Sequence, residues 1–383
     1  MMLTNRDILE LTDWRQMLHR FPEVSGDEQE TAARVVTALA GLGPDRVVTG
    51  LGGHGVAAIW EGAQPGESVL FRAELDALPI AEISLAAHRS TIAGKGHMCG
   101  HDGHMAILMG LGRLIARKRP ARGRVILMFQ PAEENGAGAA AVVADPRYDA
   151  IRPDWAFSLH NFPGTAFGHT DVRAGTVSCA SQGMKVSLTG KTAHAAYPET
   201  GTSPAAALAR LIPALTALGT GGPMGPDFRL ITITHAWLGE PAFGIAPGAA
   251  ELWVKLRTRD DQPMAALRET AVALVRAEAQ AAGLGVSFGF QDDFAANVND
   301  PEATARFRAA LDALGMSHDE GDLPMRAGED FGQFGKDGTK SAMMFLGAGE
   351  RHPMCHNPDY DFPDALIAKG VAVFHRVMRD LLG

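Results

Sequence analysis

The sequence is poor in cysteine and in runs of basic residues, and each shortage excludes a class of protein. Three cysteines are too few to hold 383 residues in a disulfide framework, which favours a reducing, cytoplasmic setting. Acidic residues outnumber basic ones by 44 to 35, and the formal net charge is −9. The short basic stretch at residues 117–119 is typical of a solvated helix end. We therefore expect no nucleic-acid partner.

Long apolar segments are also missing. No stretch has the length and apolar character of a membrane span, and the first residues lack the apolar core of a signal peptide. We therefore expect no membrane partner. With 46% hydrophobic and 21% charged residues, the composition is typical of a water-soluble globular enzyme. Single domains usually contain roughly 100–200 residues, so the length predicts two domains.

The order of the apolar runs predicts an α/β domain with a mostly parallel sheet. Strand-like runs alternate with helical segments, and polar clusters follow the strands. The predicted strands cover residues 56–60, 68–71, 125–129, 155–159 and 342–346, and a helix is predicted at residues 105–118. In such domains the reactive loops lie beyond the carboxyl ends of the strands, so we expect the active site there.

A different pattern interrupts the α/β order between residues 181 and 290. Its elements follow in the order strand, helix, strand, strand, helix, strand, which is typical of a ferredoxin-like βαββαβ domain. The α/β pattern resumes afterwards. The sequence therefore predicts a catalytic domain of residues 1–180 and 291–383, with an inserted domain of residues 181–290.

The densest polar cluster occupies residues 96–104, where three histidines, Cys99 and Asp102 fall close together. Thiolate and imidazole both bind zinc-like ions, and the glycines of this segment let the backbone approach an ion. Asp102 is predicted to orient one of the histidines from behind. One alternative is a glycine-rich surface loop with incidental histidines. Another is a structural zinc site, although such sites normally recruit paired cysteines.

A second cluster, Glu133-Glu134, comes soon after a predicted apolar strand. Two adjacent carboxylates at the end of a strand can divide the work, one binding metal and the other acting as a general base. Amide hydrolysis requires such a base near an activated water, because water alone is a weak nucleophile at neutral pH. Taken alone, a pair of glutamates is usually solvated surface, so its interpretation depends on the other clusters.

Three further segments carry candidate side chains. His160 closes a predicted strand, and Glu74 and Asp76 follow another. Cys355 and His356 lie in a polar turn before the last helix. A lone histidine is more often a packing or capping residue than a ligand. Cys355 and His356 compete for one role, because adjacent residues rarely both reach the same ion.

Together these motifs resemble the metallo-aminoacylase and carboxypeptidase G superfamily (peptidase family M20), and within it the branch of hippurate hydrolase and plant auxin-conjugate amidohydrolases. The resemblance covers nearly the whole chain, with its motifs in the same order. They lie at residues 14–19, 22–23, 72–79, 99–104, 130–134, 160–161, 190–198, 328–331 and 356–358. The resemblance implies a catalytic domain interrupted by a smaller lid domain that mediates dimerisation, and a homodimer or tetramer.

The resemblance also implies two divalent metal ions per subunit. Cys99 would be the thiolate between the two ions, with His101 and His160 on one side. Glu134 and His356 would hold the other ion. The family commonly uses zinc or manganese, with cobalt and nickel as further candidates.

The activity implied by the resemblance is hydrolysis of the amide bond of small N-acyl amino acids by a metal-activated water. Glu133 would be the general base, and His194, from the lid and from the partner subunit, would help to hold the reacting carbonyl. Asp76 matches a buried carboxylate that orients the metal site. Arg257 matches a basic position that could meet a substrate carboxylate, and its alternative role is a salt bridge at the end of a strand.

Two positions depart from the family pattern. Glu74 stands where relatives more often have aspartate, and Gly244 stands where they usually carry an asparagine that could meet the substrate. These departures leave the acyl and amine groups of the substrate unassigned.

Three other interpretations agree less well with the sequence. A dipeptidase or carboxypeptidase of the same superfamily generally has a His-x-Asp ligand where this chain has Glu74-Leu75-Asp76. A metal-binding relative without catalytic activity would be expected to lack Glu133 or a ligand, yet all are present. A zinc deaminase is disfavoured, because its His-x-Glu and Pro-Cys-x-x-Cys pattern is absent.

Overall fold

The structure is a computed structural model that describes residues 2–383 as a mixture of helices and strands. The α-helices are α1 (Asn5–Arg20), α2 (Gln29–Ala40), α3 (His101–Arg117), α4 (Gly138–Ala144), α5 (Ala205–Thr216), α6 (Asp261–Ala281), α7 (Pro301–Leu314) and α8 (Leu366–Leu382). The strands are β1 (Arg46–Leu51), β2 (Gly55–Glu61), β3 (Gln64–Glu74), β4 (Arg122–Gln130), β5 (Trp155–Pro163), β6 (Thr170–Asp171), β7 (Gly175–Ser178), β8 (Ala180–Thr189), β9 (Ala193–His194), β10 (Arg229–Leu238), β11 (Ile245–Ala246), β12 (Ala249–Thr258), β13 (Gly285–Phe294), β14 (Asn297–Asn299), β15 (His318–Asp319) and β16 (Lys340–Gly349).

The chain divides into two compact units. The larger unit comprises the residues up to Val177 together with Asn297–Leu323 and Glu329–Gly383. The smaller unit comprises Ser178–Ala296 and Pro324–Gly328. Within residues 2–383, no helix has the length and apolar character needed to cross a membrane.

The larger unit contains an eight-stranded sheet in the order β1-β2-β4-β3-β5-β16-β6-β15. Its centre is parallel, because β3 pairs in parallel with β4 and β5, and β5 with β16. The edge strands β1 and β2 are antiparallel. The predicted α/β fold class is confirmed. The parallel centre directs the carboxyl ends of β3, β4 and β5 to one edge of the sheet, where reactive loops usually lie.

Aromatic rings hold the central strands against the helices that cover them. The ring centroids of Phe71 on β3 and Phe374 on α8 are 4.9 Å apart. Those of Phe157 on β5 and Phe307 on α7 are 5.0 Å apart. All four side chains are buried. Large buried rings stabilise a core strongly, so this packing fixes the sheet whose strand ends carry the polar clusters.

The smaller unit contains a four-stranded sheet in the order β10-β12-β8-β13. All three strand pairs are antiparallel. The chain order β8, α5, β10, β12, α6, β13 is the ferredoxin-like order that the sequence predicts. Buried apolar residues of α5 and α6 pack against those of β8 and β12.

Two of the element boundaries that differ from the sequence prediction affect the candidate ligands. The strand predicted to end at Leu159 continues to Pro163, because β16 goes on pairing with it and places Phe345 opposite His160. The helix predicted to begin at Met105 begins at His101. Both differences place predicted metal ligands inside regular elements, where their backbone is fixed.

Candidate metal centre

The structure brings the five predicted metal ligands together in the larger unit. The candidate ligand atoms of Cys99, His101 and His160 all lie within 4.8 Å of one another. The same holds for Cys99, Glu134 and His356. Cys99 belongs to both groups, so its sulfur is placed between two sets of potential ligands.

The distances within the two groups are short. Cys99 Sγ lies 3.4 Å from His160 Nε2, and His356 Nε2 lies 3.3 Å from Glu134 Oε2. His101 Nε2 lies 3.7 Å from Glu134 Oε1 and 3.9 Å from Glu133 Oε2. Cys99 and His101 lie together at the start of α3, whereas the two glutamates, His160 and His356 come from distant parts of the chain.

Two buried polar atoms of the cluster lack a hydrogen-bond partner among residues 2–383. They are His101 Nε2 and Glu134 Oε1, which face each other. An unsatisfied buried polar group typically costs about 1–3 kcal/mol. A cation between them would satisfy both atoms, and a set of thiolate, imidazole and carboxylate ligands suits zinc-like divalent ions. The residues therefore fit a divalent metal centre.

Hydrogen bonds from behind orient the histidines. His101 Nδ1 lies 2.8 Å from the Asp76 carbonyl oxygen, and His160 Nδ1 lies 2.7 Å from the Asn161 carbonyl oxygen. A carbonyl only accepts, so each Nδ1 donates. In the neutral ring, each Nε2 then carries a lone pair that faces the cluster. Asp76 also accepts from the Glu134 amide at 2.9 Å. Asp76 thus contacts two candidate ligands, His101 through its backbone carbonyl and Glu134 through its carboxylate, and its role in orienting the site stays a prediction.

Burial and negative charge dominate the electrostatics of the cluster. Burial, together with the nearby Glu329 and Glu134 carboxylates, raises the pKa of Glu133 well above its usual range. Burial and the neighbouring His104 ring lower the pKa of His160 to about 3, which favours the neutral form that binds metal. A site that concentrates buried carboxylates in this way favours binding of a cation.

The comparisons with known proteins agree with this chemistry. The model of peptidase family M20/M25/M40 matches residues 70–380. The chain belongs to this family. It is a hydrolase of amide bonds, as the sequence predicts.

Two relatives cover most of the chain. The N-acetyl-L-cysteine deacetylase of Bacillus subtilis (strain 168) is 29% identical over 369 residues, which are 96% of this chain and 87% of the relative. The IAA-amino acid hydrolase ILR1-like 5 of Arabidopsis thaliana is 28% identical over 379 residues, which are 94% of this chain and 85% of the relative.

A solved structure from Bacillus subtilis shares the fold. That protein is a dinuclear metal binding peptidase from the M20 family, with a TM-score of 0.81 and 23% identity over 99% of both chains. This likeness shows the fold. The ligand groups described above fit divalent metal ions.

Asp102 contacts residues outside the candidate ligand groups, and its predicted role in orienting a histidine of the site stays a prediction. Its Oδ2 lies 2.8 Å from His19 Nδ1 and accepts from Arg15 at 3.2 Å, and neither partner is a candidate ligand. Because α3 begins at His101, the side chains of His101 and Asp102 point about 100° apart around the helix. Asp102 therefore faces α1.

A buried hydrogen-bond network next to the candidate ligands was not predicted from the sequence. Glu74 Oε2 lies 2.7 Å from His104 Nδ1, and His104 Nε2 lies 2.7 Å from Asn161 Oδ1. The Arg72 guanidinium also donates to Glu74. The longer side chain of Glu74, a departure from the family pattern, thus has two partners. Only the spacing of the histidines at 101 and 104, one helical turn apart, could have predicted part of this network.

Cys355 also lies against the centre. Its Sγ accepts from Asn161 Nδ2 at 3.4 Å and donates to the Cys99 carbonyl oxygen at 3.9 Å. His356 has a left-handed backbone, with φ of 69°, which is unusual for a residue other than glycine. The two adjacent side chains therefore have different partners, and His356 is the one that contacts Glu134.

Two predicted site residues belong to the smaller unit. His194 lies on β9 opposite Ile245 of β11, its ring is exposed, and its Nδ1 accepts from the Ala196 amide at 3.0 Å. Arg257 lies on β12 and donates to the carbonyl oxygen of Arg326 at 2.8 Å. Gly244 has open space where a side chain would begin. The roles of His194 and Arg257 remain predictions.

Replacing Gly138 by alanine is expected to destabilise the hydrolase by about 1–3 kcal/mol, as overpacking typically does. A Cβ at Gly138 would lie 1.6 Å from the carbonyl oxygen of Pro131, across the segment that carries Glu133 and Glu134. Urea denaturation would measure the loss. Gly225→Ala is the control, because a Cβ there meets open space. Equal stability of the two variants would contradict the expectation.

Proposed function

We propose that this hydrolase cleaves the amide bond of N-acyl amino acids, with Glu133 as the general base. The proposal rests on the location of the Glu133 side chain within the ligand cluster. Its carboxylate is buried, lies 3.9 Å from His101 Nε2, and stands next to Glu134 within the ligand cluster. The activities named for the N-acetyl-L-cysteine and IAA-amino acid relatives support this substrate class.

Five side chains would hold two divalent metal ions. Cys99 would contribute to both, His101 and His160 to one, and Glu134 and His356 to the other. Zinc and manganese are the first candidates, with cobalt and nickel next. When bound, the ions supply positive charge that acidifies water and polarises the substrate carbonyl.

Glu133 moves the proton in this proposal. Its carboxylate takes a proton from the attacking water while the oxygen of that water forms a bond to the amide carbon. It then gives the proton to the amine nitrogen as the carbon–nitrogen bond breaks.

Further roles are proposed for the inserted domain. We propose that residues 181–290 form a lid and dimerisation domain, that residues 1–180 and 291–383 form the catalytic domain, and that the protein is a homodimer or tetramer. His194 from the partner subunit would help to hold the reacting carbonyl. Arg257, which is partly buried and positively charged, would meet the carboxylate of the amino-acid half of the substrate.

The test is hydrolysis of a panel of N-acetyl, N-benzoyl and indole-acetyl amino acids. The enzyme is assayed with added manganese or zinc, and again with a chelator, and the released amino acid is measured. We expect turnover of at least one class of conjugate that the chelator abolishes. Dipeptides of matched composition are the comparison, because preferential release from dipeptides would favour a dipeptidase instead. No turnover with either metal would contradict the proposal.

A further inference from the structure

The segment that carries Glu133 and Glu134 has no regular structure of its own. This glutamate loop (residues 131–137) connects β4 to α4. Three carboxylates accept hydrogen bonds from backbone amides in or directly beside it. These bonds run from Ala132 N to Glu28 Oε1 at 2.8 Å, from Glu134 N to Asp76 Oδ2 at 2.9 Å, and from Ala139 N to Asp330 Oδ2 at 2.9 Å.

The three carboxylates are all buried and come from distant parts of the chain. Glu28 precedes α2, Asp76 follows β3, and Asp330 lies between β15 and β16. Burying a carboxylate costs several kcal/mol unless hydrogen bonds compensate for the lost water. Each of the three carboxylates accepts a hydrogen bond from the backbone around Glu133 and Glu134. Among them, Glu28 and Asp330 do not belong to the candidate ligand groups and have no assigned role.

Glu28 fixes the start of the glutamate loop. The amide it accepts belongs to Ala132, whose backbone is left-handed with φ of 51°. That conformation costs an alanine roughly 1–2 kcal/mol, so it persists only where surrounding contacts impose it. Ala132 directly precedes Glu133, and its backbone sets the direction from which the Glu133 side chain leaves the loop.

Asp330 fixes both flanks of the same loop. Its two carboxylate oxygens accept from Gln130 Nε2 at 2.8 and 2.9 Å, at the end of β4. Its Oδ2 also accepts from the Ala139 amide at the start of α4, and its Oδ1 accepts from the Arg72 guanidinium at 2.8 Å. One carboxylate thus connects the residue before the loop to the helix after it.

We propose that Glu28 and Asp330 are positioning residues for the hydrolytic reaction. They hold the glutamate loop in the one conformation that keeps the Glu133 carboxylate beside His101, and neither touches the reacting atoms. This inference rests on the proposed role of Glu133 as the general base. Because a general base must reach its proton within hydrogen-bond distance, a small displacement of the loop lowers the rate at the chemical step.

The first experiment compares Glu28→Ala with Glu28→Gln in the full-length, metal-loaded enzyme. We expect Glu28→Ala to lower kcat by about ten- to a hundredfold with little change in KM, because loss of alignment affects the chemical step. Glu28→Gln should restore most of kcat. Its amide oxygen can still accept from Ala132, and its nitrogen would replace Oε2, which has no hydrogen-bond partner among residues 2–383.

Glu23→Ala is the matched control. The Glu23 carboxylate accepts from the Thr31 amide at 2.6 Å and from the Thr31 hydroxyl at 2.8 Å, at the start of α2. Its removal weakens the same N-terminal region without touching the glutamate loop. We expect Glu23→Ala to lower the melting temperature while leaving kcat within about twofold of the wild type, since surface and local changes away from the site rarely alter the chemical step.

Amide hydrogen exchange gives a readout that needs no substrate. Exchange of peptides covering residues 131–139 should be faster by about tenfold or more in Glu28→Ala, because a charge-assisted hydrogen bond is lost, and unchanged in Glu23→Ala. Asp330→Asn provides a second variant of native shape. Its new amide would place a donor against Gln130 Nε2, Arg72 or Ala139, so it should behave like Glu28→Ala and not like Glu28→Gln.

The outcomes separate the two proposals. Equal effects of Glu28→Ala and Glu23→Ala on kcat, or unchanged loop exchange in both Glu28→Ala and Asp330→Asn, would overturn the positioning role. An inactive wild-type enzyme would overturn the proposed function, while the exchange comparison would still decide whether the two carboxylates hold the loop.

Discussion

Replacing Glu133 by glutamine is expected to lower kcat by about two to four orders of magnitude, the usual contribution of a general base. The amide has the shape of the carboxylate but cannot take a proton from water. The melting temperature should stay the same or rise, because the substitution removes a buried ionisable group close to the Glu134 carboxylate. The Glu133 carboxylate also lies 3.9 Å from His101 Nε2. Steady-state kinetics, thermal melting and metal analysis would be measured on the same preparations.

Glu134→Gln is the matched control for Glu133→Gln. Glu134 lies 3.7 Å from His101 Nε2 and 3.3 Å from His356 Nε2, so its amide variant should lose metal as well as activity. Glu133→Gln would then lower the rate alone, whereas Glu134→Gln would also lower the metal content. Full activity of Glu133→Gln with normal metal content would show that another group is the base.

Removing divalent metal is expected to abolish hydrolysis and to lower the melting temperature. Without a cation, His101 Nε2 and Glu134 Oε1 remain buried without hydrogen-bond partners among residues 2–383. A ligand at a hundred times its Kd stabilises the folded state by about 2.7 kcal/mol. That corresponds to a change in melting temperature of roughly 5–10 °C for a unit of this size. Calorimetry with and without chelator would measure it.

Two cysteine variants test whether this stabilisation comes from the described centre. Cys99→Ser replaces the sulfur common to both ligand groups, so it should remove most of the activity and most of the metal-dependent rise in melting temperature. Cys179→Ser is the control, because Cys179 is equally buried but lies in the smaller unit, beside Met224. If Cys179→Ser abolished the metal response and Cys99→Ser kept it, the centre would be wrongly located.

The ligand set could be predicted from the sequence because each candidate belongs to a short motif with distinctive residue types. Cys99 and His101 lie two residues apart, Glu134 and His160 follow apolar runs, and His356 lies in a polar turn. Residues of these types are uncommon together, so their order along the chain indicates metal chemistry. The structure brings their side chains together, and their individual roles remain predictions.

Local geometry decided contacts that the sequence motifs did not indicate. Asp102 belongs to the same motif as Cys99 and His101, yet it contacts Arg15 and His19 because the helix begins earlier than predicted. The phase of a helix depends on its first residue, which hydrophobic periodicity locates poorly. His160 likewise lies within β5, because pairing with β16 extends the strand.

The fold class, the family and the candidate metal-binding side chains could all be inferred from the sequence, because apolar periodicity and short motifs are local properties of the chain. The carboxylates that accept from the backbone of the glutamate loop could be identified only in the folded chain. Glu28 is 104 residues from Ala132, and Asp330 is 191 residues from Ala139. Acidic residues are common in this chain, and nothing local distinguishes a buried acceptor of backbone amides from a solvated carboxylate. Burial and partner are set by the packing of distant segments, which the sequence pattern does not encode in any single motif.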